Sequence, residues 1–358
     1  MDFKLSEDQI AFADSAKALF ADFCSPEQQA AYEAGSDGYM PALWQQCVDN
    51  GLSVITLPEA QGGLEQGMTE LMAVLVEQGR ALAQVPLAQQ QLAAQAVALF
   101  GSAAAQAAIE GKLLTLGVDA VNLQLAGDKA SGIVGAVPFA DSADAALLLA
   151  QEAGQTRVVL VDLQAAGVGR TAGRNQAQTG VAQIKLDGAT VQVLDAAAWV
   201  WLQPRVIAAL AALQLGVSAE HLKQTVQYVT ERKQFERPIG TFQLVQGKMA
   251  DCQIAVEALR SALYQLVYRL DAGLPALPQA LATRVLACEA GHLVGHAAQH
   301  VHGGIGVDIT YPIHRFGCWS RQLNIAHGGP EQNLAALGQW IAQNDKLGWK
   351  YDSEEAAA

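Results

Sequence analysis

Apolar residues recur every three or four positions through the first hundred residues, which is the period of an amphipathic helix. Ser6, followed by two acidic residues, is typical of a helix N-cap. Further stretches of this kind lie at 40–50, 69–82 and 87–100. Gly51 and Gly101 follow two of them, and glycine commonly ends a helix. We therefore expect an N-terminal helical domain over residues 1–113.

Short β-rich runs replace this pattern between positions 114 and 195. They lie at 132–138, 145–149, 157–162, 181–186 and 190–194. Glycine and aspartate separate the runs, and no stretch between them is long enough for the helix of a βαβ unit. The pattern predicts a middle domain over 114–195 that forms a small β-barrel or sandwich, and it argues against a Rossmann fold.

The helical period returns at Ala196 and continues nearly to the end of the chain. It predicts three long helices and a fourth, amphipathic helix through 334–341. We expect these helices to form a C-terminal four-helix bundle over 196–345, followed by a disordered tail at 346–358. The predicted fold class is therefore α+β, with a small β-domain between two helical domains.

The charge and the apolar content of the chain narrow the classes of partner. Among 358 residues, 22 are Lys or Arg and 35 are Asp or Glu, which gives a net charge of −13. Nucleic-acid binding needs a positive surface, so this partner is excluded. Apolar residues make up 51% of the chain and charged residues only 16%. Such sparse charge predicts an oligomer that covers apolar surface.

The cysteines and the N-terminus indicate the compartment. The five cysteines are odd in number, scattered and without a CxxC pair, so we expect free thiols in a reducing cytoplasm. The first residues lack the apolar region of a signal peptide. The longest apolar stretch, near 206–213, is far shorter than the ~18 residues that span a bilayer. We therefore expect a cytoplasmic protein with no membrane partner.

Two motifs in the C-terminal half have residue types that suit a phosphate-bearing ligand. The first is RKQF at 232–235 with PIGTFQ at 238–243, and the second is QHVHGGIG at 299–306. The planar guanidinium of Arg232 matches a pyrophosphate, and consecutive glycines let the backbone approach a ligand closely. The residues alone leave a second interpretation open, in which Arg232 forms a surface ion pair and the glycines only end a helix.

These motifs, together with PEAQGG at 58–63 and GRALA at 79–83, resemble the acyl-CoA dehydrogenase family over residues 3–344. The GRALA element followed by Pro86 resembles the branch that acts on sterol and other bulky CoA thioesters. The resemblance implies FAD as cofactor, with its ADP half bound largely by the neighbouring subunit through the two motifs. The contacts that it implies are Arg232, Phe235, Phe242, Gln243, Gln299, Gly303 and Gly304. Arg205 matches a family arginine beside the flavin, although it could equally form an interhelical ion pair.

Two family elements are absent from this sequence. The family holds the isoalloxazine ring through a TEPxxGSD-like loop, which should fall near 116–128, where this chain reads LGVDAVNLQLAGD. The catalytic Glu of most members matches His327, and the alternative family position matches Pro204 before Arg205, so neither position is acidic. Glu331 stands one helical turn further along and is expected to face solvent or cap its helix.

Histidines offer two further possibilities. His327 could act as a base because imidazole titrates near neutral pH, but a histidine beside two glycines is more often a packing or capping residue. His292, His296 and His300 are spaced by four residues, as in helical zinc sites, yet successive members drift around the helix and no HExxH carboxylate accompanies them. We prefer packed histidines and no metal.

The leading hypothesis is a subunit of an acyl-CoA dehydrogenase that completes the FAD site of a different, catalytic chain. The expected partners are a homologous Glu-bearing subunit in an α2β2 heterotetramer, an acyl-CoA substrate with a bulky, steroid-like side chain, and electron-transfer flavoprotein. Two alternatives remain open. One is a homotetrameric dehydrogenase with an unusual base such as His327, and the other is a structural homologue without cofactor.

Overall fold

The computed structural model describes residues 4–118 and 121–344. Its N-terminal helices are α1 (Glu7–Phe23), α2 (Pro26–Ala34), α3 (Pro41–Asp49), α4 (Met68–Ala81), α5 (Leu87–Phe100) and α6 (Ala103–Ala108). α1 begins with a capping box, in which Ser6 Oγ accepts from the Gln9 backbone and Gln9 Oε1 accepts from the Ser6 backbone. The N-terminal helical domain is confirmed, and α2 and α6 are additions to the predicted helices.

The middle of the chain is one mixed sheet. Its strands are β1 (Leu114–Gly117), β2 (Leu123–Ala126), β3 (Lys129–Pro138), β4 (Ala145–Glu152), β5 (Gln155–Asp162), β6 (Val168–Arg174), β7 (Gly180–Thr190) and β8 (Gln192–Val193). The strand order is β6-β7-β3-β2-β4-β5-β8, and β1 also pairs with β4. β1 and β2 both run parallel to β4, whereas the other pairs are antiparallel.

The sheet encloses an apolar core of its own. Val134 of β3 and Ile184 of the neighbouring β7 belong to one buried cluster with Val159 of β5, although two strands, β2 and β4, separate β3 from β5 in the sheet order. The sheet therefore wraps around these side chains, which gives the small β-domain that the strand pattern predicts. Leu147 and Leu160 face the opposite side and join the core formed with the helices.

The C-terminal helices follow the sheet. They are α7 (Ala198–Glu231), α8 (Gln243–Asp271), α9 (Leu277–His302), α10 (His314–Ala326) and α11 (Pro330–Ala342), and a two-residue hairpin pair, β9 (Lys233–Gln234) and β10 (Arg237–Pro238), lies between α7 and α8. α7, α8, α9 and α11 are the four predicted helices. α10 is a fifth helix that the apolar pattern did not reveal. The expected tail at 346–358 lies outside the described residues.

Two glycines bring α4 and α7 into backbone contact. A Cβ atom at Gly79 would lie 2.2 Å from the Leu213 carbonyl oxygen, and one at Gly216 would lie 2.0 Å from the Val76 carbonyl oxygen. Any larger residue at either position would push the helices apart. Asp271, at the end of α8, also accepts hydrogen bonds from the Met68 and Thr69 backbone at the start of α4.

α7 is the central helix of the packed core. Within the described ranges, it is the one helix long and apolar enough to cross a membrane, with a mean hydropathy of 1.4 over an 18-residue window, and 67% of that window is buried inside the protein. The sequence expectation that no stretch reaches this length was wrong, because a few polar residues interrupt an otherwise apolar helix. Burial of this extent is typical of a core helix.

Candidate functional site

The two predicted motifs meet at one end of the helical bundle. Tyr228, one turn before the end of α7, stacks on His302, the last residue of α9, with ring centroids 4.2 Å apart and an interplanar angle of 21°. Arg232 is the C-cap of α7 and Gly303 is the C-cap of α9. The stacked rings therefore hold the arginine motif beside the glycine motif, although the two are far apart in sequence.

The arginine motif forms a tight hairpin with a strained turn. Phe235 and Glu236 have φ angles of 52° and 65°, the left-handed region that residues other than glycine rarely adopt. Positive φ at both central residues is the geometry of a type I′ turn. The Ile239 amide donates to the Arg232 carbonyl at 2.8 Å, which closes the base of the hairpin. Strain of this kind is common at ligand and partner sites.

The hairpin projects an aromatic side chain into solvent. Phe235 is 87% exposed and touches Phe242 edge-on, with ring centroids 6.3 Å apart. The Arg237 guanidinium lies 4.1 Å from the centroid of the Phe242 ring. An exposed phenylalanine beside cations offers a flat apolar contact and positive charge together, which suits a nucleotide.

The glycine motif leaves its backbone open. Gly303 has a φ of 63°, and a Cβ atom at Gly303 or Gly304 would meet no atom within 4 Å. Gly306 is different, because a Cβ there would lie 3.0 Å from His302 Cβ. Gln299 accepts a hydrogen bond from Arg321 through Oε1 at 3.3 Å. Gly303 and Gly304 thus form a surface that the phosphates of a ligand can approach closely.

The residues fit the ADP half of FAD. Arg232 and Arg237 supply positive charge on the hairpin, Phe235 supplies an aromatic contact, and Gly303 and Gly304 supply an uncovered backbone. Of the other implied contacts, Phe242 packs on the hairpin, and Gln243 begins α8 with an exposed side chain. Sequence reasoning missed Tyr228, Arg237 and His302, although each lies next to a residue that it identified.

Arg205 is not part of this cluster. α7 separates it from Arg232 by 27 residues, or about 40 Å at the helical rise. Its guanidinium lies 4.2 Å from the Trp201 ring centroid and donates to the Trp201 carbonyl oxygen at 2.9 Å. Burial lowers the pKa of Arg205 to about 10, an effect that Asp271 opposes. A role beside a flavin ring stays a prediction for Arg205.

His327 is not placed to act as a base. Its side chain is fully buried behind α10, and its carbonyl oxygen accepts from Asn333 Nδ2 at 2.9 Å. Neither ring nitrogen has a well-formed hydrogen bond among the described residues. Burial, and secondarily the Arg284 cation, lower the pKa of His327 to about 3. A contact with the Leu210 backbone acts in the opposite direction and raises the pKa slightly. His327 is therefore a buried and neutral side chain in the folded protein.

The remaining acidic and histidine candidates do not converge. Glu331 lies in the first turn of α11 and is exposed. The His292 and His296 rings are 5.5 Å apart, whereas His300 Nδ1 contacts Lys248 Nζ at 2.8 Å. Within residues 4–118 and 121–344, no three His, Cys, Asp or Glu side chains are grouped closely enough to hold a metal ion.

The segment expected to hold an isoalloxazine ring is short. β1 ends at Gly117 and β2 begins at Leu123, so residues 118–122 make the whole connection. β2 then pairs with β4 through Leu123 and Gln124. Residues 119–120, within the segment where the sequence places the expected loop, lie outside the described residues.

The fold and the paired motifs agree with the comparison with known families. The pattern of the acyl-CoA dehydrogenase N-terminal domain matches residues 6–115, and that of the C-terminal domain matches residues 207–342. The chain belongs to the acyl-CoA dehydrogenase family, whose members are oxidoreductases that act on CH–CH groups and use FAD.

Particular relatives are similar along nearly the whole chain. Acyl-CoA dehydrogenase FadE27 of Mycobacterium tuberculosis is 33% identical over 372 residues, covering 96% of this chain and 99% of the relative. The ChsE4–ChsE5 complex of M. tuberculosis has a chain with 33% identity and a TM-score of 0.90, covering 97% of this chain and 100% of that one. The structure of a steroid acyl-CoA dehydrogenase, Tcur3481–Tcur3483, has a chain with 34% identity and a TM-score of 0.88, and the match covers 94% of this chain and 98% of that one.

Proposed function

We propose that this chain is the non-catalytic subunit of a heteromeric, FAD-dependent acyl-CoA dehydrogenase. It contributes contacts to the ADP half of FAD held by a homologous partner subunit, which carries the catalytic Glu. One contrast supports this proposal. Arg232, Phe235 and Gly303 lie together and face outward, whereas the residue at the usual position of the base, His327, is fully buried.

The reaction of the complex is the α,β-desaturation of an acyl-CoA thioester. FAD, when bound, would supply the hydride acceptor for this reaction, and the partner's Glu would take the α-proton. Arg232 and Arg237 of this chain neutralise phosphate charge, and Gly303 and Gly304 admit the phosphates to the backbone. The substrate is a CoA thioester with a bulky steroid side chain, an assignment that rests on the similarity to the steroid enzyme. Electron-transfer flavoprotein is the proposed electron acceptor, and the cytoplasm is the proposed location.

The pairing of unlike subunits has two further supports. The segment at 116–128 reads LGVDAVNLQLAGD and lacks the TEPxxGSD-like motif that holds the isoalloxazine ring within one subunit. The similar ChsE4–ChsE5 structure is a complex of two differently named chains. An α2β2 arrangement would let each copy of this chain complete the flavin site of one catalytic subunit.

Co-expression tests the proposal directly. The chain purified alone should be colourless, and it should gain flavin absorbance and acyl-CoA-dependent reduction of an electron acceptor only with a Glu-bearing homologous subunit. Arg232→Ala should weaken FAD binding by the complex about tenfold or more, the loss of one charge-assisted contact. Arg260→Ala is a matched control, because Arg260 pairs with Glu257 on α8 at 3.1 Å.

Three results would overturn the proposal. If the chain alone is yellow and oxidises an acyl-CoA, it is a complete enzyme, as in the homotetramer hypothesis. If the Arg232→Ala complex keeps FAD at full occupancy, the contact in trans is wrong. If no complex ever contains flavin, the chain is a structural homologue without cofactor.

A further inference from the structure

A cavity of about 250 Å3 lies between α9 and α10. It shares Gln299 and Gly306 with the glycine motif, and His221 of α7 forms part of its inner wall. Its volume is far greater than a single buried water needs. Its other lining residues lie outside the arginine and glycine motifs, and the Arg321 side chain is among them.

The inner wall carries polar atoms that lack partners. His221 is 3% exposed, and its Nδ1 has no hydrogen bond within the described residues. Its ring stacks on Phe316, with centroids 5.4 Å apart, so it is fixed in place. Asn324 also lines the cavity, and its buried Oδ1 is without a partner in the same part of the chain. Unpaired buried polar atoms are costly, and a ligand with hydroxyl groups would satisfy both.

Two glycines inside helices keep the cavity open. Gly295 of α9 and Gly317 of α10 both line it, and a Cβ atom at either position would meet nothing within 4 Å. Glycine costs a helix interior about 1 kcal/mol relative to alanine. Among the described residues no close helix contact requires either glycine, in contrast to Gly79 and Gly216. Their absent side chains leave space that a ligand can fill.

The electrostatics of the cavity favour an anion. Arg321 is the cation among the lining residues, and no lining residue of the described chain is acidic, despite the net charge of −13. The first turn of α10 contributes Ile313 and His314, and this helix start has no side-chain cap. The positive end of the helix dipole therefore faces the cavity. Glu33, the nearby carboxylate, is held by Arg315 through contacts of 2.6 and 2.8 Å.

We propose that this cavity binds a phosphate ester of a hydroxyl-bearing molecule, such as a sugar phosphate. The phosphate lies toward Arg321 and the start of α10, and the hydroxyl groups reach His221 and Asn324. This site follows from the chain alone. Only one possible source of the ligand, the sugar-phosphate part of a flavin held by the partner subunit, rests on the proposed function.

Isothermal titration calorimetry of the full chain with ribose 5-phosphate tests the site. We expect saturable binding with one site per chain, and weaker binding of ribose or inorganic phosphate alone. His221→Phe keeps the stacked ring but removes its nitrogens, and Gly295→Leu fills the cavity. Each should weaken binding about tenfold or more, equivalent to about 1.4 kcal/mol. Gly338→Leu on α11 is the control, because a Cβ there also meets nothing within 4 Å.

The outcomes separate the sources of the ligand. Ribose 5-phosphate that binds only the FAD-free complex identifies the flavin as the natural occupant, and binding to both FAD-free and FAD-loaded complexes identifies a free metabolite. Absence of saturable binding to the chain overturns the proposal. Equal affinities for Gly295→Leu and Gly338→Leu would overturn it as well. Neither result bears on FAD retention by Arg232, so this proposal can fail while the proposed function stands.

Discussion

Replacing His327 by leucine should make the protein less sensitive to acid. The imidazole is fully buried and its pKa is lowered to about 3 in the folded chain, mainly by burial. In the unfolded chain it returns to its ordinary value of about 6.5. Below that pH the unfolded state binds a proton that the folded state does not, so the stability contributed by neutral His327 is lost as pH falls from about 6.5 toward 3.

The size of the effect at a given pH follows from the distance between that pH and the pKa of the unfolded histidine. At pH 5 the unfolded histidine is protonated and the folded one is still neutral, and the difference of about 1.5 pH units from 6.5 lowers the stability by roughly 2 kcal/mol. His221, whose pKa burial also lowers to about 3, adds a similar amount. The wild-type chain should therefore lose roughly 4 kcal/mol from these two groups between pH 7.5 and 5, and His327→Leu should lose about half of that.

Urea unfolding at pH 7.5 and pH 5 measures this difference. Leu323→Ala is the control, since Leu323 is buried on α10 and its replacement should cost the same few kcal/mol at both pH values. The reasoning fails if His327→Leu and wild type lose equal stability on acidification. That result would place the imidazole within reach of solvent and would restore His327 as a candidate base.

Two further substitutions test contacts on which the fold and the site depend. Asp271→Asn should lower the free energy of unfolding by about 2 kcal/mol, because the Asp271 carboxylate accepts hydrogen bonds from backbone amides in the first turn of α4 and from Thr69 Oγ1. Urea unfolding measures the loss, and Asp251→Asn, at an exposed position of α8, is the control. Gly303→Val should cost about 1–3 kcal/mol at a φ of 63° and lower the flavin absorbance of the complex. Gly304→Ala should leave stability unchanged, and equal losses at both glycines would refute the strain argument.

Local signals in the sequence predicted local structure well. Ser6 and Gly101 bound helices because capping depends on neighbours within one turn, and both lie where the sequence predicts them. The arginine and glycine motifs were recognisable because their residue types and spacing are characteristic. Their meeting at one end of the bundle needed the structure, since it depends on the Tyr228–His302 stack across helices that are distant in sequence.

Features set by long-range packing could not be predicted. The Gly67 N-cap of α4 has no side chain, and the group that replaces it is Asp271, some two hundred positions away. The parallel pairing of β1 with β4 could not be predicted either, because neither strand has an apolar–polar alternation that would identify its partner. His327 matched a catalytic position in the sequence, yet packing against α7, α9 and α11 decides that it is buried.

The hairpin of the arginine motif links flavin binding to subunit pairing. Positive φ at the non-glycine residues Phe235 and Glu236 costs about 1–2 kcal/mol each. The two short strands and the closing hydrogen bond from Ile239 offset only a small part of this cost. Exposure of Phe235 adds apolar surface that water solvates poorly. In the proposed complex a nucleotide and a partner surface would cover this ring together, so each would increase the affinity of the other through the same hairpin. This chain would therefore bind FAD weakly without its partner, even though its own contact residues for the ADP half are present.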